Sequence, residues 1–266
     1  MFIQFCESHS LKYLPTTEDT LMLFIADCED RKLRHGTITN YLYAIRSLQL
    51  ENGFNDPLND SFCIKRALKG IHVSQDNTLN RKLAIDHSIM KKLEVLHRTL
   101  DHNTITFWSA MTLSFFALLR CSEVTVKNPI HFDTEKDFTR KDVTFINENC
   151  MKVMLKHSKT DKIGTGVELV IGCTKHPVCA VCSMEKKLKL ISDKNSPLFQ
   201  FEDGTFLTRK VFIDHTRTFL ALIGINPQDY SGYSYRIGGC TSGAMASMEE
   251  WELKLLGQWT SDCYKR

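Results

Sequence analysis

The spacing of apolar residues predicts helices along the first part of the chain. Hydrophobic side chains recur there every three or four positions, which places them on one side of a helix. Thr16-Thr17-Glu18-Asp19 has the composition of a helix start, and Gly36-Thr37 and Asn59-Asp60-Ser61 mark two further starts. Asn52-Gly53 is a typical helix end. The pattern therefore predicts a small helical domain over residues 1–75.

Basic side chains line the polar faces of these predicted helices. The apolar side of the third helix is formed by Phe62, Ile64, Leu68 and Ile71. Its other side carries Lys65, Arg66 and Lys69, and Arg46 lies on the second helix. Together these cations could contact a DNA backbone. The alternative is a solvated basic face without a ligand, and charge alone favours that alternative.

The middle of the chain changes from a polar segment to a strongly apolar one. Residues 76–85 are polar and predict a linker between two domains. Asp86 then predicts a helix start, and residues 104–119 form an apolar run that is too short to span a membrane and favours a buried helix. Arg120 and Glu123 follow directly. Such a charged pair is common on surfaces, but here it could also deliver Arg120 into a cleft, with Glu123 holding it in place.

Short alternating segments after this pair predict a small sheet. The predicted strands are 142–146, 152–156 and 166–171. Asn147-Glu148-Asn149 is a hairpin turn between the first two, and Lys159 lies near the tip of the next turn, where a lysine is usually solvated. Further helices are predicted over 178–190 and from Thr208 onward. The fold class is therefore mainly α with a small antiparallel β-sheet (α+β), and a second domain occupies residues 86–266.

Composition restricts the possible partners only weakly. The 266 residues include 34 basic and 31 acidic ones, a net charge of +3, so any contact with DNA must come from local clusters. Most of the ten cysteines are isolated in the sequence, and the first residues lack the basic and apolar regions of a signal peptide. We therefore expect an intracellular protein with reduced thiols that pack as small hydrophobic groups.

One group of cysteines has the residue types of a metal site. Cys173, His176, Cys179 and Cys182 follow one another at intervals of three positions. Structural zinc sites usually take paired ligands from separated segments, whereas these four residues crowd one short stretch beside Pro177, a typical helix start. The sequence favours buried thiols at a helix entry over zinc, and we expect no metal or other cofactor.

The C-terminal part of the chain gives the strongest indication of function. Arg236 follows a Gly/Ser-rich segment at a predicted helix start, where a guanidinium and free main-chain N–H groups can bind a phosphate. Trp259 follows the helix end Leu255-Leu256-Gly257 and can donate its indole N–H to the same anion. Alone, this indication is weak. Arg120 and Lys159 add two cations upstream, and the four positions together indicate a DNA-phosphate site.

In these motifs the chain resembles the tyrosine recombinases of the phage-integrase superfamily. Arg120-x-x-Glu123 resembles the first arginine motif, and Ser158-Lys159-Thr160-Asp161 resembles the hairpin lysine motif. Tyr233-Ser234-Tyr235-Arg236 resembles the His-x-x-Arg box, and Leu256-Gly257-x-Trp259 resembles the segment that leads to the nucleophile. The motifs occur in the family's order over nearly the whole chain. Within the superfamily, the motifs most resemble those of the recombinases of eukaryotic Crypton-like and DIRS-like mobile elements.

The resemblance implies a fold, an activity and a set of roles. It implies a SAM-like core-binding domain over residues 1–75 and a catalytic domain over 86–266, which act on double-stranded DNA in the nucleus and self-associate on it. Arg120 and Arg236 would bind the phosphate, Lys159 would protonate the leaving 5′ oxygen, and Trp259 would support the transition state. A tyrosine hydroxyl would attack and form a 3′-phosphotyrosyl link, which requires neither metal nor ATP.

Two positions depart from the family's pattern. Tyr233 stands where the family has histidine; a phenol can hydrogen-bond a phosphate oxygen but is a poor proton acceptor near neutral pH. The nucleophile is expected just beyond Arg266, and Tyr264 lies about one helical turn too early. We therefore expect a fragment or a decayed copy that forms no covalent adduct with a nicked DNA substrate. The alternatives are a non-catalytic, domesticated DNA-binding module and a zinc-containing interaction domain.

Overall fold

The chain divides into two compact units, Met1–Asn80 and Arg81–Arg266. The computed structural model describes residues 1–75, 82–99, 101–156, 164–259 and 261–262. Each unit has a hydrophobic core of its own. The polar segment 76–85, predicted as a linker, is in part described: the main-chain N–H groups of Leu83 and Ile85 donate to carbonyls of Asp229 and Ser234, at 2.8 and 3.0 Å. This part of the segment therefore belongs to the second unit.

The first unit is helical, as the sequence predicts. Its described helices are α1 (Phe2–Ser8), α2 (Glu18–Asp30), α3 (His35–Glu51) and α4 (Phe62–Ser74). Thr17 caps α2 by accepting a hydrogen bond from the N–H of Thr20, and Ser61 caps α4 in the same way. Asn52 ends α3, followed by Gly53 with a φ of 78°. The buried faces of the four helices meet in one core.

Phe62 is the exception among the apolar residues predicted to line the core side of α4. Its residue surface is 69% exposed, whereas Ile64 and Ile71 are buried. Spacings of three, four and seven residues put Phe62 on the same helix face as the basic residues rather than with the isoleucines. The guanidinium carbon of Arg66 lies 5.9 Å from the centroid of the Phe62 ring. The prediction for Phe62 is therefore wrong.

The second unit combines helices with a small sheet. Its described helices are α5 (His87–Leu96), α6 (His102–Phe116), α7 (Cys121–Val124), α8 (Ala180–Lys189), α9 (Arg209–Leu222), α10 (Ser234–Met245) and α11 (Glu250–Gly257). The side chains of Asp86, Asp101 and Thr208 cap α5, α6 and α9 by accepting main-chain N–H bonds. α6 is buried along almost its whole length, and none of the described helices is long and apolar enough to cross a membrane.

Three antiparallel strands form the sheet in the order β1-β2-β3. They are β1 (Val143–Asn147), β2 (Cys150–Leu155) and β3 (Val167–Gly172). Val153 pairs with Val143 on one side and with Leu169 on the other. Alternate residues of β2 are buried, as expected for a strand with one face on the core. The mainly α architecture with a small antiparallel sheet confirms the predicted fold class.

Two glycines let α10 approach its neighbours at main-chain distance. A Cβ placed on Gly238 would lie 1.7 Å from the carbonyl oxygen of Ile85, and one on Gly239 would lie 2.1 Å from the carbonyl oxygen of Phe115 in α6. Any larger residue would push main chain apart, and main chain cannot rotate away as a side chain can. The Gly-Gly pair after Arg236 therefore fixes how closely this arginine approaches the end of α6.

Candidate functional site

Arg120 begins the short helix α7 and is held by Glu123. α6 ends at Phe116, and Leu118 has a left-handed backbone (φ 48°) that turns the chain before Arg120. The Glu123 carboxylate accepts hydrogen bonds from the Arg120 main-chain N–H at 2.6 Å and from its Nη1 at 2.8 Å. The two side chains are 20% and 6% exposed. Glu123 thus orients a largely enclosed arginine, as the sequence analysis expected.

Arg236 lies in the first turn of α10 with only 1% of its surface exposed. Its Nη1 donates to the carbonyl oxygen of Leu118, and its Nη2 donates to that of Gly257. Within the described part of the chain, the buried Nε has no hydrogen-bond partner. A buried N–H without a partner costs free energy, which the oxygen of a bound anion could recover. The guanidinium therefore ties the segment before Arg120 to the end of α11.

Trp259 packs directly on this guanidinium. α11 ends at Gly257, and the next residue, Gln258, has a left-handed backbone (φ 52°) that turns the chain back. The Arg236 Cζ lies 4.5 Å from the centroid of the Trp259 ring, a cation–π contact. A Cβ on Gly257 would lie 2.1 Å from the indole Cε3 and Cζ3 atoms. Glycine at the helix end is therefore necessary for the position of the indole.

Positive charge is concentrated where these residues meet. Burial lowers the pKa of the Arg236 guanidinium, and the charge of Arg120 lowers it further, whereas Glu123 and Tyr233 raise it. Arginine nevertheless keeps its proton at neutral pH. Two guanidinium groups thus share the influence of one carboxylate. Tyr233, just before α10, is 49% exposed and lies close enough to Arg236 to interact with its guanidinium. This arrangement favours an anion as its ligand.

Four of the five predicted catalytic positions, Arg120, Tyr233, Arg236 and Trp259, therefore come together with Glu123. The fifth, Lys159, and the candidate nucleophile Tyr264 lie outside the described residues. Lys156 directly follows β2, three residues before Lys159, and has a structural role. Its Nζ lies 2.7 Å from the Asp142 carboxylate, with only 14% of the side chain exposed, and it also donates to two main-chain carbonyls.

Two polar residues near the site were missed in the sequence analysis. The amide nitrogen and oxygen of Gln258 are buried and have no hydrogen-bond partner among the described residues. Arg209, the first residue of α9, lies close enough to Cys121 for its charge to act on the thiol, whose pKa burial raises to about 11. Arg209 and Glu123 line a cavity of about 1070 Å³. Arg209 stands in no motif, and Gln258 is the variable position of the Leu256-Gly257-x-Trp259 segment, so the motifs did not identify either residue.

The predicted DNA-contacting residues of the first unit differ in their surroundings. Arg46 forms an ion pair with Asp56, with 2.6 Å between Nε and Oδ2. Lys65, Arg66 and Lys69 are exposed on α4, and the described structure gives them no ion pair with a carboxylate. Lys65, Arg66 and Lys69 therefore form the exposed basic face of α4, and Phe62 lies on the same face. Arg46 is locally neutralised.

Known proteins provide a comparison for this fold and for the arginine-centred site. No protein-family model matches the chain. The chain is 23% identical over 261 residues to an integrase/recombinase XerD homolog of Selenomonas ruminantium. The aligned region covers 93% of this chain and 72% of the relative. This relative supports the resemblance to the tyrosine recombinase and integrase superfamily.

Solved structures of DNA-bound integrases and recombinases have a similar fold. The Tn1549 transposon integrase in complex with circular intermediate DNA matches with a TM-score of 0.58 and 13% identity, over 95% of this chain and 80% of that one. The XerH recombinase bound to difH substrate matches with a TM-score of 0.60 and 14% identity, over 92% and 65%. A lambda integrase dimer bound to a core site matches with a TM-score of 0.56 and 10% identity, over 94% and 65%. At these identities the likeness establishes the integrase-type fold.

Proposed function

We propose that the chain is a DNA-binding protein of the tyrosine recombinase type, whose second unit binds a backbone phosphate for strand breakage and rejoining. The convergence of Arg120, Trp259 and the Tyr233–Arg236 pair, from three separate parts of the sequence, carries this proposal. The relatives support it, since three of the similar structures contain DNA. Double-stranded DNA is therefore the proposed partner.

The residue types suit phosphoryl transfer. Charge that develops on the non-bridging oxygens would be stabilised by Arg120 and Arg236, and the Trp259 indole and Tyr233 hydroxyl could donate further hydrogen bonds. Lys159 is the proposed general acid for the leaving 5′ oxygen. A tyrosine hydroxyl would attack the phosphorus, and the bond to the 5′ oxygen would break as the 3′-phosphotyrosyl bond forms. The chemistry conserves the phosphodiester bond energy for rejoining.

The finer assignment is to recombinases of Crypton-like or DIRS-like mobile elements. It is supported by the motif Tyr233-Ser234-Tyr235-Arg236 and by the segment from Leu256 to Trp259. With it we propose a nuclear location and self-association on DNA. Gel shift of a labelled duplex at increasing protein concentration tests self-association. Complexes of increasing size would support it, and a single complex at all protein concentrations would contradict it.

A non-catalytic DNA-binding module is the second candidate. It is favoured by Tyr233, a poor proton acceptor at the position where the resemblance places histidine. The Arg236 contacts also favour it, because the two main-chain carbonyls use this guanidinium as a structural group. Both candidates require DNA binding, and only the first requires a covalent intermediate.

One experiment addresses both candidates. Binding of a labelled duplex is measured by fluorescence anisotropy between about 50 and 200 mM salt, and we expect affinity to fall steeply because phosphate contacts release counterions. A nicked duplex then tests for a covalent adduct, whose site is mapped by mass spectrometry. An adduct lost in Arg120→Lys with binding retained supports cleavage. Binding without an adduct supports the non-catalytic module, and affinity independent of salt contradicts both.

A matched control keeps the comparison within the second unit. The Lys210 side chain is 87% exposed, and among the described residues its ion-pair partner is Asp214, one helical turn away. Lys210→Ala removes one positive charge without disturbing the core. We expect it to leave adduct formation unchanged. If Lys210→Ala reduced the adduct as much as Arg120→Lys, the loss of the adduct would not be specific to the candidate site.

A further inference from the structure

Three cysteine sulfurs lie together where β3 meets α8. Cys173 directly follows β3, Cys179 caps α8, and Cys182 lies in its first turn. The Sγ atom of Cys173 lies 3.5 Å from that of Cys179 and 3.6 Å from that of Cys182. All three sulfurs lie within 4.8 Å of one another. The segment that supplies these thiols is continuous in the sequence, and in the fold it joins the end of a strand to the start of a helix.

The separations of the sulfur atoms fit coordination of one metal ion. A tetrahedral zinc ion with Zn–S bonds of about 2.3 Å holds its sulfur ligands about 3.8 Å apart. A disulfide would instead require about 2.05 Å between two of them. The measured 3.5 and 3.6 Å lie close to the first value and far from the second. The thiols are therefore arranged as metal ligands before any ion arrives.

Main-chain N–H groups already point at these sulfurs. The N–H of Cys182 donates to the Sγ of Cys179, and the N–H of Lys175 donates to the Sγ of Cys173, each at 3.4 Å. Lys175 has a left-handed backbone (φ 56°) that forms this turn. Hydrogen bonds of this kind stabilise thiolates and orient them as ligands. The exposed Lys175 and the N-terminus of α8 further offset negative charge.

We propose that Cys173, Cys179 and Cys182 bind one Zn²⁺ as three thiolate ligands, with water in the fourth position. Thiolates select zinc over harder divalent ions such as Mg²⁺ and Ca²⁺. Cys179 is buried and Cys173 and Cys182 are partly accessible, which gives the ion a route into the site. His176 is exposed and lies outside this group of three sulfurs. The ion joins the end of β3 to the start of α8, and its water position remains open.

Zinc content tests the proposal directly. The full chain is purified under reducing conditions and its metals are measured by inductively coupled plasma mass spectrometry. We expect one zinc per chain, lost to background in Cys173→Ser and Cys179→Ser. Cys150→Ser and His176→Ala are the controls and keep the metal. Background zinc in the unmodified chain after incubation with ZnCl₂ would overturn the site, and zinc loss in His176→Ala would overturn the three-ligand assignment.

Two further measurements do not depend on whether the serine variants fold. Co²⁺ added to the unmodified chain should give thiolate-to-cobalt charge-transfer absorption, which one equivalent of Zn²⁺ abolishes. A chelator should lower the Tm of the unmodified chain by on the order of 10 °C, because the ion binds only the folded state. No cobalt absorption, an unchanged Tm, or a chain lighter by two hydrogens through a disulfide would each overturn the proposal.

Discussion

Arg236 joins two tasks in one side chain. Its Nη atoms hold the carbonyls of Leu118 and Gly257, and its charge contributes to the anion site. A substitution that removes the guanidinium therefore affects folding as well as ligand binding. Loss of DNA affinity in such a variant has no simple interpretation unless stability is measured at the same time.

Substitution of Arg236 by alanine should be severely destabilising. It leaves two buried carbonyls without donors, so we expect the free energy of unfolding to fall by about 3–5 kcal/mol. Arg236→Lys restores one donor and should lose less. Urea unfolding followed by circular dichroism measures both. Lys210→Ala is the surface control and should change stability by less than about 0.5 kcal/mol. An Arg236→Ala variant as stable as the parent would show that these two contacts are unimportant.

Lys187 of α8 is a buried cation outside the site. It is 0% exposed, its Nζ donates to Thr106 Oγ1 at 2.6 Å and to the Gln200 carbonyl at 2.9 Å, and burial lowers its pKa to about 8. In the unfolded chain the pKa returns to its usual value near 10.5. Below pH 8 both states carry the proton, and the folded state bears the cost of a buried charge.

Lys187→Met should therefore stabilise the protein at neutral pH. Methionine fills a similar volume without a charge, and we expect a gain of about 1–2 kcal/mol at pH 7. The parent gains stability from this group between pH 8 and 10.5, because its folded state releases the proton first. The advantage of the variant should shrink over that range. Denaturant unfolding at pH 7 and pH 10 measures it, and an advantage that grows with pH would contradict the assigned direction.

At the scale of elements, the basic face of α4 is the part of the first unit best suited to DNA. Lys65 and Lys69 are exposed, whereas Arg46 is paired with Asp56. We expect Lys65→Ala and Lys69→Ala each to reduce the slope of log affinity against log salt by about 1. Arg46→Ala is the matched comparison and should change the slope less. Equal slopes for all three variants and the parent would exclude this face from the DNA contact.

The close approach of α10 and α6 depends on Gly239. Alanine there would place its Cβ 2.1 Å from a main-chain oxygen, so we expect Gly239→Ala to cost about 1–3 kcal/mol. Gly70→Ala in α4 is the control, because nothing lies within 4 Å of its added Cβ. It should be neutral or stabilising by up to about 1 kcal/mol, since alanine favours helix. Thermal unfolding compares the two, and a neutral Gly239→Ala would mean that α10 can move away.

Local signals explain which elements could be predicted from the sequence. A helix start depends on one side chain and on the N–H groups two or three positions later. Thr17, Ser61 and Asp86 could therefore be recognised as the starts of α2, α4 and α5. Burial depends on distant partners. The sequence therefore did not reveal that Phe62 is exposed or that the Gln258 amide is enclosed. The end of α6 was predicted three residues late, because the left-handed turn at Leu118 serves a tertiary contact.

The sequence motifs predicted more of the candidate site than the secondary-structure patterns did. Arg120, Tyr233, Arg236 and Trp259 were identified from residue types in a fixed order, and the fold brings them together. Arg209 and Gln258 were not identified, because each approaches the site only through the packing of its helix. The hydrogen bonds from Arg236 to Leu118 and Gly257 could not be predicted from the sequence either, since they join residues far apart in the chain.

For the molecule as a whole, the small net charge of +3 means that local fields decide association. The two units each have a separate core, and each presents cations of a different kind. The cations of α4 are exposed side chains suited to contact a DNA backbone at several positions. Those of Arg120 and Arg236 are fixed by hydrogen bonds. We therefore expect α4 to supply affinity and the arginine pair to supply chemistry.

The neighbouring guanidinium groups of Arg120 and Arg236 have a practical consequence for buffers and crystals. Any small oxyanion that occupies their site binds the folded chain alone and stabilises it by mass action. Phosphate should raise the Tm by a few degrees above chloride at equal ionic strength, as differential scanning fluorimetry would detect. Arg120→Gln should abolish this difference, whatever its own Tm. Crystals grown from sulfate should then contain the ion against these arginines, at the position proposed for a DNA backbone phosphate.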